Sequence, residues 1–249
     1  MQRYIAFIEN EYYHIYSRGT EKRKTFMNSN DYFRFSLLLY LCNSTENIHL
    51  SKLFRSLELK ARMAGKTSRQ GGSLTGKISK KDLYKLFEIP TKNKLVSIIS
   101  YCLMPNHFHL ILKEIRPGGI SIFMKKLLTA YSMHFNKKYE RSGALFTRPF
   151  KSEHINDDNY FRYLFAYIHL NPVKLIDSKW KENGIKDLKK TKEFLSSYEY
   201  SSFLDFLRKN RPERKILAFD DIPDYFSEVS DFKDFIEYFL ENPPVKEAP

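Results

Sequence analysis

The chain has 249 residues, 42% of them hydrophobic and 29% charged, which is enough apolar material for one large folded domain or for a domain with appendages. It contains no run of about 18 uncharged apolar residues and no signal-peptide pattern, so we expect neither a membrane span nor secretion. Two cysteines, Cys42 and Cys102, are too few for a disulfide framework. A reducing, cytoplasmic setting is therefore expected.

The formal net charge of +13 is unevenly distributed along the chain. Residues 217–249 contain nine Asp or Glu and only two Lys or Arg, so the positive charge is concentrated in the preceding part. Such a basic surface favours a polyanionic partner such as nucleic acid, although many soluble proteins are basic without having one.

The hydrophobic periodicity predicts seven elements before residue 177. In chain order they are a strand at 11–19, a helix at 28–43, two strands at 94–105 and 107–115 joined by a tight turn, a helix at 118–140, a strand at 149–156 and a helix at 159–170. The order β-α-β-β-α-β predicts an α+β fold of the ferredoxin-like type, in which an antiparallel sheet carries two helices on one face. The extra helix at 159–170 is then free to cover the other face.

Two further segments lie outside this pattern. Residues 60–81 contain seven Lys or Arg, no acid and four of the nine glycines, so we interpret 60–93 as a basic insertion or linker and expect a loop at 60–81. The loop either serves as a solvated linker or becomes ordered on a phosphate backbone. Residues 177–249 are expected to form a mostly helical C-terminal extension with an acidic tail.

Two histidines stand one residue apart in the stretch CLMPNHFHLIL, residues 102–112. Because side chains alternate along a strand, His107 and His109 should face one side of the sheet, while Phe108 joins the core on the other. Two imidazoles can chelate one metal ion, but they leave the site incomplete, and most such pairs are incidental.

The helix at 159–170 offers the missing groups. Tyr167 and Asn171 are four residues apart and should share a helical face. Asn171 can give its amide oxygen to a metal, with coordination positions left open for phosphate oxygens, and Tyr167 can attack the phosphate to form a covalent phosphotyrosine. Each residue also has an ordinary structural explanation, Tyr167 as a core aromatic and Asn171 as a helix cap before Pro172.

The segments YHIYSRG, CLMPNHFHLIL and YIHLNPVKLI, in this order, resemble the single-tyrosine HUH transposases, in particular the REP-associated tyrosine transposase group of the IS200/IS605-like family. The resemblance implies an HUH catalytic domain at residues 1–176 that acts on single-stranded DNA beside a hairpin, such as a REP-like sequence, with Mg²⁺ or Mn²⁺ as cofactor. It implies His107, His109 and Asn171 as metal ligands and Tyr167 as the nucleophile, which forms a 5′-phosphotyrosine and frees a 3′-OH. It also implies a location at the nucleoid of a bacterium or archaeon.

Two neighbours of Tyr167 are set aside. Tyr163 lies one turn earlier and could belong to a two-tyrosine mechanism, but the spacing to the NPV motif fits Tyr167, and we expect Tyr163 to pack. His169 is two residues from Tyr167, so it should point away from the same helical face.

Residues 125–151 contain seven Lys or Arg and one acid, interleaved with aromatic residues, a composition suited to single-stranded nucleic acid. The predicted phosphate contacts are Arg18, Lys137, Lys138, Arg141, Arg148 and Lys174.

Three functions are consistent with this sequence. The first is a metal-dependent strand transferase that nicks and rejoins single-stranded DNA through Tyr167. The second is a domesticated relative that holds hairpin DNA or represses transcription without cleaving, and the third is a ferredoxin-like RNA-binding domain whose sheet aromatics stack bases. We favour the first because only it gives His107, His109 and Asn171 a shared purpose. The sequence leaves open whether the protein is a monomer or a homodimer.

Overall fold

The computed structural model describes residues 6–46, 49–70, 73–76, 78–225 and 228–242; within these, the side chains of residues 51, 67–70 and 73–76 are left aside. The strands are β1 (Tyr12–Arg18), β2 (Thr67–Gln70), β3 (Ser73–Gly76), β4 (Val96–Met104), β5 (His107–Glu114) and β6 (Lys151–Ile155). Strands β4, β5, β1 and β6 form, in that order, an antiparallel sheet of four strands. This is the strand order of a ferredoxin-like core, so the predicted fold class is confirmed.

The helices differ greatly in length. They are α1 (Ser29–Leu41), α2 (Leu50–Met63), α3 (Lys80–Tyr84), α4 (Gly119–Lys138), α5 (Asp158–Leu170), α6 (Trp180–Asn183), α7 (Leu188–Ser197), α8 (Phe203–Phe206) and α9 (Val229–Glu241). Short 3₁₀ helices occupy Thr20–Lys22, Lys85–Glu88, Asn171–Leu175, Pro212–Ile216 and Phe219–Asp221. Among the residues described, none of the helices combines the length and the apolar character that a membrane crossing requires.

Helices α1 and α4 cover one face of the sheet. The ring of Phe108 on β5 lies 5.2 Å from that of Phe35 on α1, which in turn lies 4.9 Å from Tyr131 on α4. The two helices are also joined at their ends, because the buried Asp31 accepts hydrogen bonds from Lys138 and Tyr139. Burial alone would raise the pKa of the Asp31 carboxyl, but these hydrogen bonds lower it.

Helix α5 covers the opposite face, as predicted, and the C-terminal extension packs around it. Phe165 on α5 contacts Phe206 at a centroid distance of 4.9 Å. The extension also reaches the free edge of β4, where Leu103 donates its N–H to the carbonyl of Tyr200. Strand β4 is consequently buried along its whole length.

The expectation of a loop at residues 60–81 is wrong. This stretch contains the end of α2, the hairpin of β2 and β3, and the start of α3. Helix α2 begins before this stretch, and its apolar residues Leu50, Leu53 and Leu57 pack against the core about one turn apart. The basic, glycine-rich composition of residues 60–81 gave no indication that the helix continues into them. Glycine marks the helix end instead, since Gly65 adopts φ +70° just beyond α2.

Candidate active site

One row of side chains crosses the sheet on the face that α5 covers. Tyr16 on β1 lies directly opposite His109 on β5, and His14 on β1 lies directly opposite Glu153 on β6. The rings of His107 and His109 are 5.1 Å apart, whereas Phe108 points to the α1 and α4 side. The prediction that His107 and His109 face one side of the sheet and Phe108 the other is therefore confirmed.

Each of the two imidazoles has its Nδ1 atom engaged. Nδ1 of His107 lies 2.6 Å from Oδ1 of Asn106, and Nδ1 of His109 lies 2.9 Å from Nε2 of His14. If Nδ1 carries the proton in both rings, Nε2 keeps its lone pair in both. Two such nitrogens on one face are suited to a shared cation.

Helix α5 brings two more of the predicted residues to the same place. The side chain of Asp157 caps its N-terminus, and Asn171 directly follows its last residue and opens the next 3₁₀ helix. The ring of Tyr167 meets that of His109 edge to face at 5.5 Å. Asn171 lies close enough to His107 to influence the pKa of its imidazole. The structure thus brings the four predicted catalytic and metal-binding residues together.

Burial and neighbouring charge keep both imidazoles neutral. Burial, together with the charge of Arg18, lowers the pKa of His107 to about 4, although the side chain of Asn171 acts in the opposite direction. Burial and the nearby rings of His14 and His107 lower the pKa of His109 well below its usual range. Neutral imidazole is the form that binds metals, so both rings are ready to accept a cation at neutral pH.

In the part of the chain that the structure describes, no three His, Cys, Asp or Glu side chains are grouped to hold a metal ion. A cation between His107 and His109 would therefore need a different third ligand, and the amide oxygen of Asn171 is the group at hand. Two imidazoles and one amide form an incomplete shell, which leaves positions for substrate oxygens. The residues present thus fit a catalytic metal.

These residues line a cleft of about 830 Å³, which we call the cationic cleft. Beside His107, His109, Tyr167 and Asn171, its lining includes one acid, Glu182, and six basic side chains: Arg18, Lys22, Lys24, Lys151, Lys174 and Lys181. Low-dielectric walls that carry one sign of charge concentrate polyanions, so the cleft is suited to a phosphate backbone.

Several residues of the site and its surroundings were not found from the sequence. Lys181 is the clearest case, because it comes from α6 in the C-terminal extension and places Nζ 4.0 Å from the centre of the Tyr167 ring. Nothing in the sequence could show that contact, since it depends on how the extension packs. His14 and Glu153 had a usable signal, the alternation within β1 and β6, but the strand register was needed to connect them to His109.

The predicted phosphate contacts separate into two groups. Arg18 and Lys174 line the cationic cleft, whereas the other four lie outside its lining. Of these, Lys138 is paired with Asp31 at 2.6 Å, and Arg141 donates to Asn136. Lys137 and Arg148 are exposed.

The two residues that the sequence set aside are placed as expected. His169 lies in the core, where its ring contacts the carbonyl of Phe165 and the hydroxyl of Ser202, away from the cationic cleft. Tyr163 is half-buried and lies parallel to Tyr167, with ring centroids 6.4 Å apart.

Residues 57–171 match the family model described as transposase IS200 like. This segment contains the histidine pair, Tyr167 and Asn171. The family whose model it matches is the one that the sequence motifs resemble. One solved structure, described as a REP-associated tyrosine transposase bound to a REP hairpin, is 14% identical with a TM-score of 0.42; the alignment covers 92% of this chain and 98% of that one. No curated protein matches the chain.

Proposed function

We propose that the protein is a metal-dependent DNA strand transferase that nicks and rejoins single-stranded DNA through Tyr167. The observation that carries this proposal is the common location of Tyr167, His107, His109 and Asn171 at one cationic cleft. A nucleophile beside an incomplete ligand set is the arrangement that phosphoryl transfer requires.

The reaction follows from the chemistry of these groups. His107, His109 and Asn171 would hold Mg²⁺ or Mn²⁺, which would polarise and orient the scissile phosphate. The hydroxyl oxygen of Tyr167 attacks the phosphorus and loses its proton, and the bond from phosphorus to the 3′-oxygen breaks. The leaving 3′-oxygen takes up a proton, and the 5′-phosphate stays on Tyr167. Attack by a 3′-OH on this phosphotyrosine reverses the step and joins strands, because the covalent bond retains the energy of cleavage.

The substrate we propose is single-stranded DNA beside a hairpin, as the sequence motifs imply. Arg18 and Lys174 are the proposed phosphate contacts among the predicted six, since both line the cationic cleft. An RNA-binding domain that stacks bases on its sheet is disfavoured, because helices cover both faces of this sheet.

The experiment is a search for the covalent intermediate. Labelled single strands that carry a hairpin are incubated with the protein and either Mg²⁺ or Mn²⁺, then separated under denaturing conditions. We expect a labelled band at the mass of protein plus DNA, which disappears when the metal is chelated. Binding of the same DNA without any such band would instead support a hairpin-binding or repressor protein that does not cleave.

Replacement of Lys174 by Gln is expected to weaken DNA binding and to reduce its dependence on salt. One phosphate contact releases about one counterion, so the slope of log K against log[salt] should fall by about 0.7 for single-stranded DNA. Binding titrations at several salt concentrations measure this slope. Lys137→Gln is the matched control, an equal change of charge outside the cleft, and an equal loss of slope in both variants would argue against the cleft as the binding surface.

A further inference from the structure

We propose that His14 and Glu153 are positioning residues that fix the tautomer of His109, so that its Nε2 lone pair is available to a cation in the cleft. The inference rests on the proposed function, and it assigns a role to a buried histidine and a partly buried carboxylate that the transfer step itself does not use. Neither residue lines the cationic cleft.

The first link is the hydrogen bond between the two imidazoles. Nε2 of His14 lies 2.9 Å from Nδ1 of His109, both side chains are buried, and the two rings are nearly parallel, with 14° between their planes. Exactly one of these two nitrogens carries the proton when both rings are neutral. If Nδ1 of His109 is the donor, its Nε2 is unprotonated and can bind a cation; with the reverse assignment it cannot.

The second link is the carboxylate behind His14. Oε2 of Glu153 lies 4.0 Å from Nδ1 of His14, which is longer than a hydrogen bond but close enough for a strong electrostatic effect. That nitrogen has no hydrogen-bond partner among the described residues. The negative charge therefore favours a proton on Nδ1 of His14, which leaves Nε2 of His14 as the acceptor for His109.

The carboxylate is itself held in place. Tyr16 donates its hydroxyl to Oε1 of Glu153 at 2.9 Å, and Tyr160 donates to Oε2 at 3.1 Å. Both phenols are donors here, so the carboxylate remains an acceptor toward His14. The β1 and β6 register, which sets His14 opposite Glu153, keeps the whole row on one face of the sheet. Metal-binding histidines commonly depend on such outer partners, and loss of one costs about 10- to 100-fold in metal affinity.

The test is a titration of Mn²⁺ into the full-length protein, with free Mn²⁺ followed by electron paramagnetic resonance. Glu153→Gln and His14→Phe should each weaken Mn²⁺ binding by about 10- to 100-fold. His14→Gln should recover most of the affinity, because its amide oxygen can accept from Nδ1 of His109. Glu11→Gln is the matched control, an equal charge change at a carboxylate that is paired with His154 and does not line the cationic cleft, and it should bind like the wild type.

A second measurement separates positioning from simple packing. ¹⁵N NMR of the His109 ring distinguishes the protonated nitrogen from the unprotonated one. It should show Nδ1–H in the wild type and a mixture of tautomers in Glu153→Gln. Unchanged Mn²⁺ affinity in Glu153→Gln and His14→Phe, or an Nε2–H tautomer in the wild type, would overturn this inference while leaving the strand-transfer proposal in place. A wild-type protein that binds no Mn²⁺ and forms no adduct would overturn both.

Discussion

Replacement of Tyr167 by Phe is expected to abolish the covalent protein–DNA adduct, with a loss of at least about 10³-fold in the rate of its formation. The change removes only the attacking oxygen. The ring keeps its edge-to-face contact with His109 and its place beneath Lys181, so the fold and the cleft should be preserved. Denaturing gels of reactions with labelled hairpin DNA measure the adduct. DNA affinity should stay within about threefold of the wild type, because contacts of Lys and Arg side chains with phosphates supply most of the binding free energy.

Tyr163→Phe is the matched control for this experiment. Tyr163 lies on the same helix, parallel to Tyr167, and the substitution removes the same atom. We expect it to form the adduct at close to the wild-type rate. An adduct that persists in Tyr167→Phe and disappears in Tyr163→Phe would transfer the role of nucleophile to Tyr163.

Replacement of either His107 or His109 by Ala is expected to separate cleavage from binding. Each variant removes one of the two proposed imidazole ligands, so the rate of adduct formation should fall by about 100-fold or more in Mg²⁺ or Mn²⁺. Binding of the hairpin strand should change little, because the proposed phosphate contacts, Arg18 and Lys174, are untouched. Single-turnover cleavage and binding titrations on the same DNA measure the two quantities.

His154→Ala provides the comparison, since this histidine is exposed, is paired with Glu11 and does not line the cationic cleft. It should retain cleavage. Undiminished cleavage by His109→Ala would mean that the reaction does not use a cation at this position, and the proposed ligand set would then be incorrect.

The sequence was sufficient for those parts of the structure that follow from local patterns. Alternation within β5 correctly assigned His107 and His109 to one face and Phe108 to the other, because side-chain direction in a strand has a period of two. Tyr167 and Asn171, which are four residues apart, likewise lie at the same cleft, although α5 ends between them. The ferredoxin-like strand order followed from the order of the elements.

Features that depend on strand register and on long-range packing could not be predicted. His14 and Glu153 belong to the site only because β1 pairs with β5 on one side and with β6 on the other. Lys181 reaches Tyr167 only because the extension folds back over α5. The prediction of a loop at residues 60–81 was wrong for a related reason. The composition suggested a solvated segment, whereas the packing of Leu53 and Leu57 on the core stabilises helix α2, which extends into this stretch.

The claim on which this account depends is that the Tyr167 hydroxyl is the group that attacks the phosphate beside the histidine pair. Mass spectrometry of the DNA adduct tests it most directly, after nuclease trimming and digestion with trypsin. Cleavage after Arg162 and Lys174 gives one peptide, residues 163–174, which contains both Tyr163 and Tyr167, so fragmentation must locate the modification. The account predicts a nucleotide phosphate on Tyr167. Its presence on Tyr163 or on any residue outside this peptide would contradict the account.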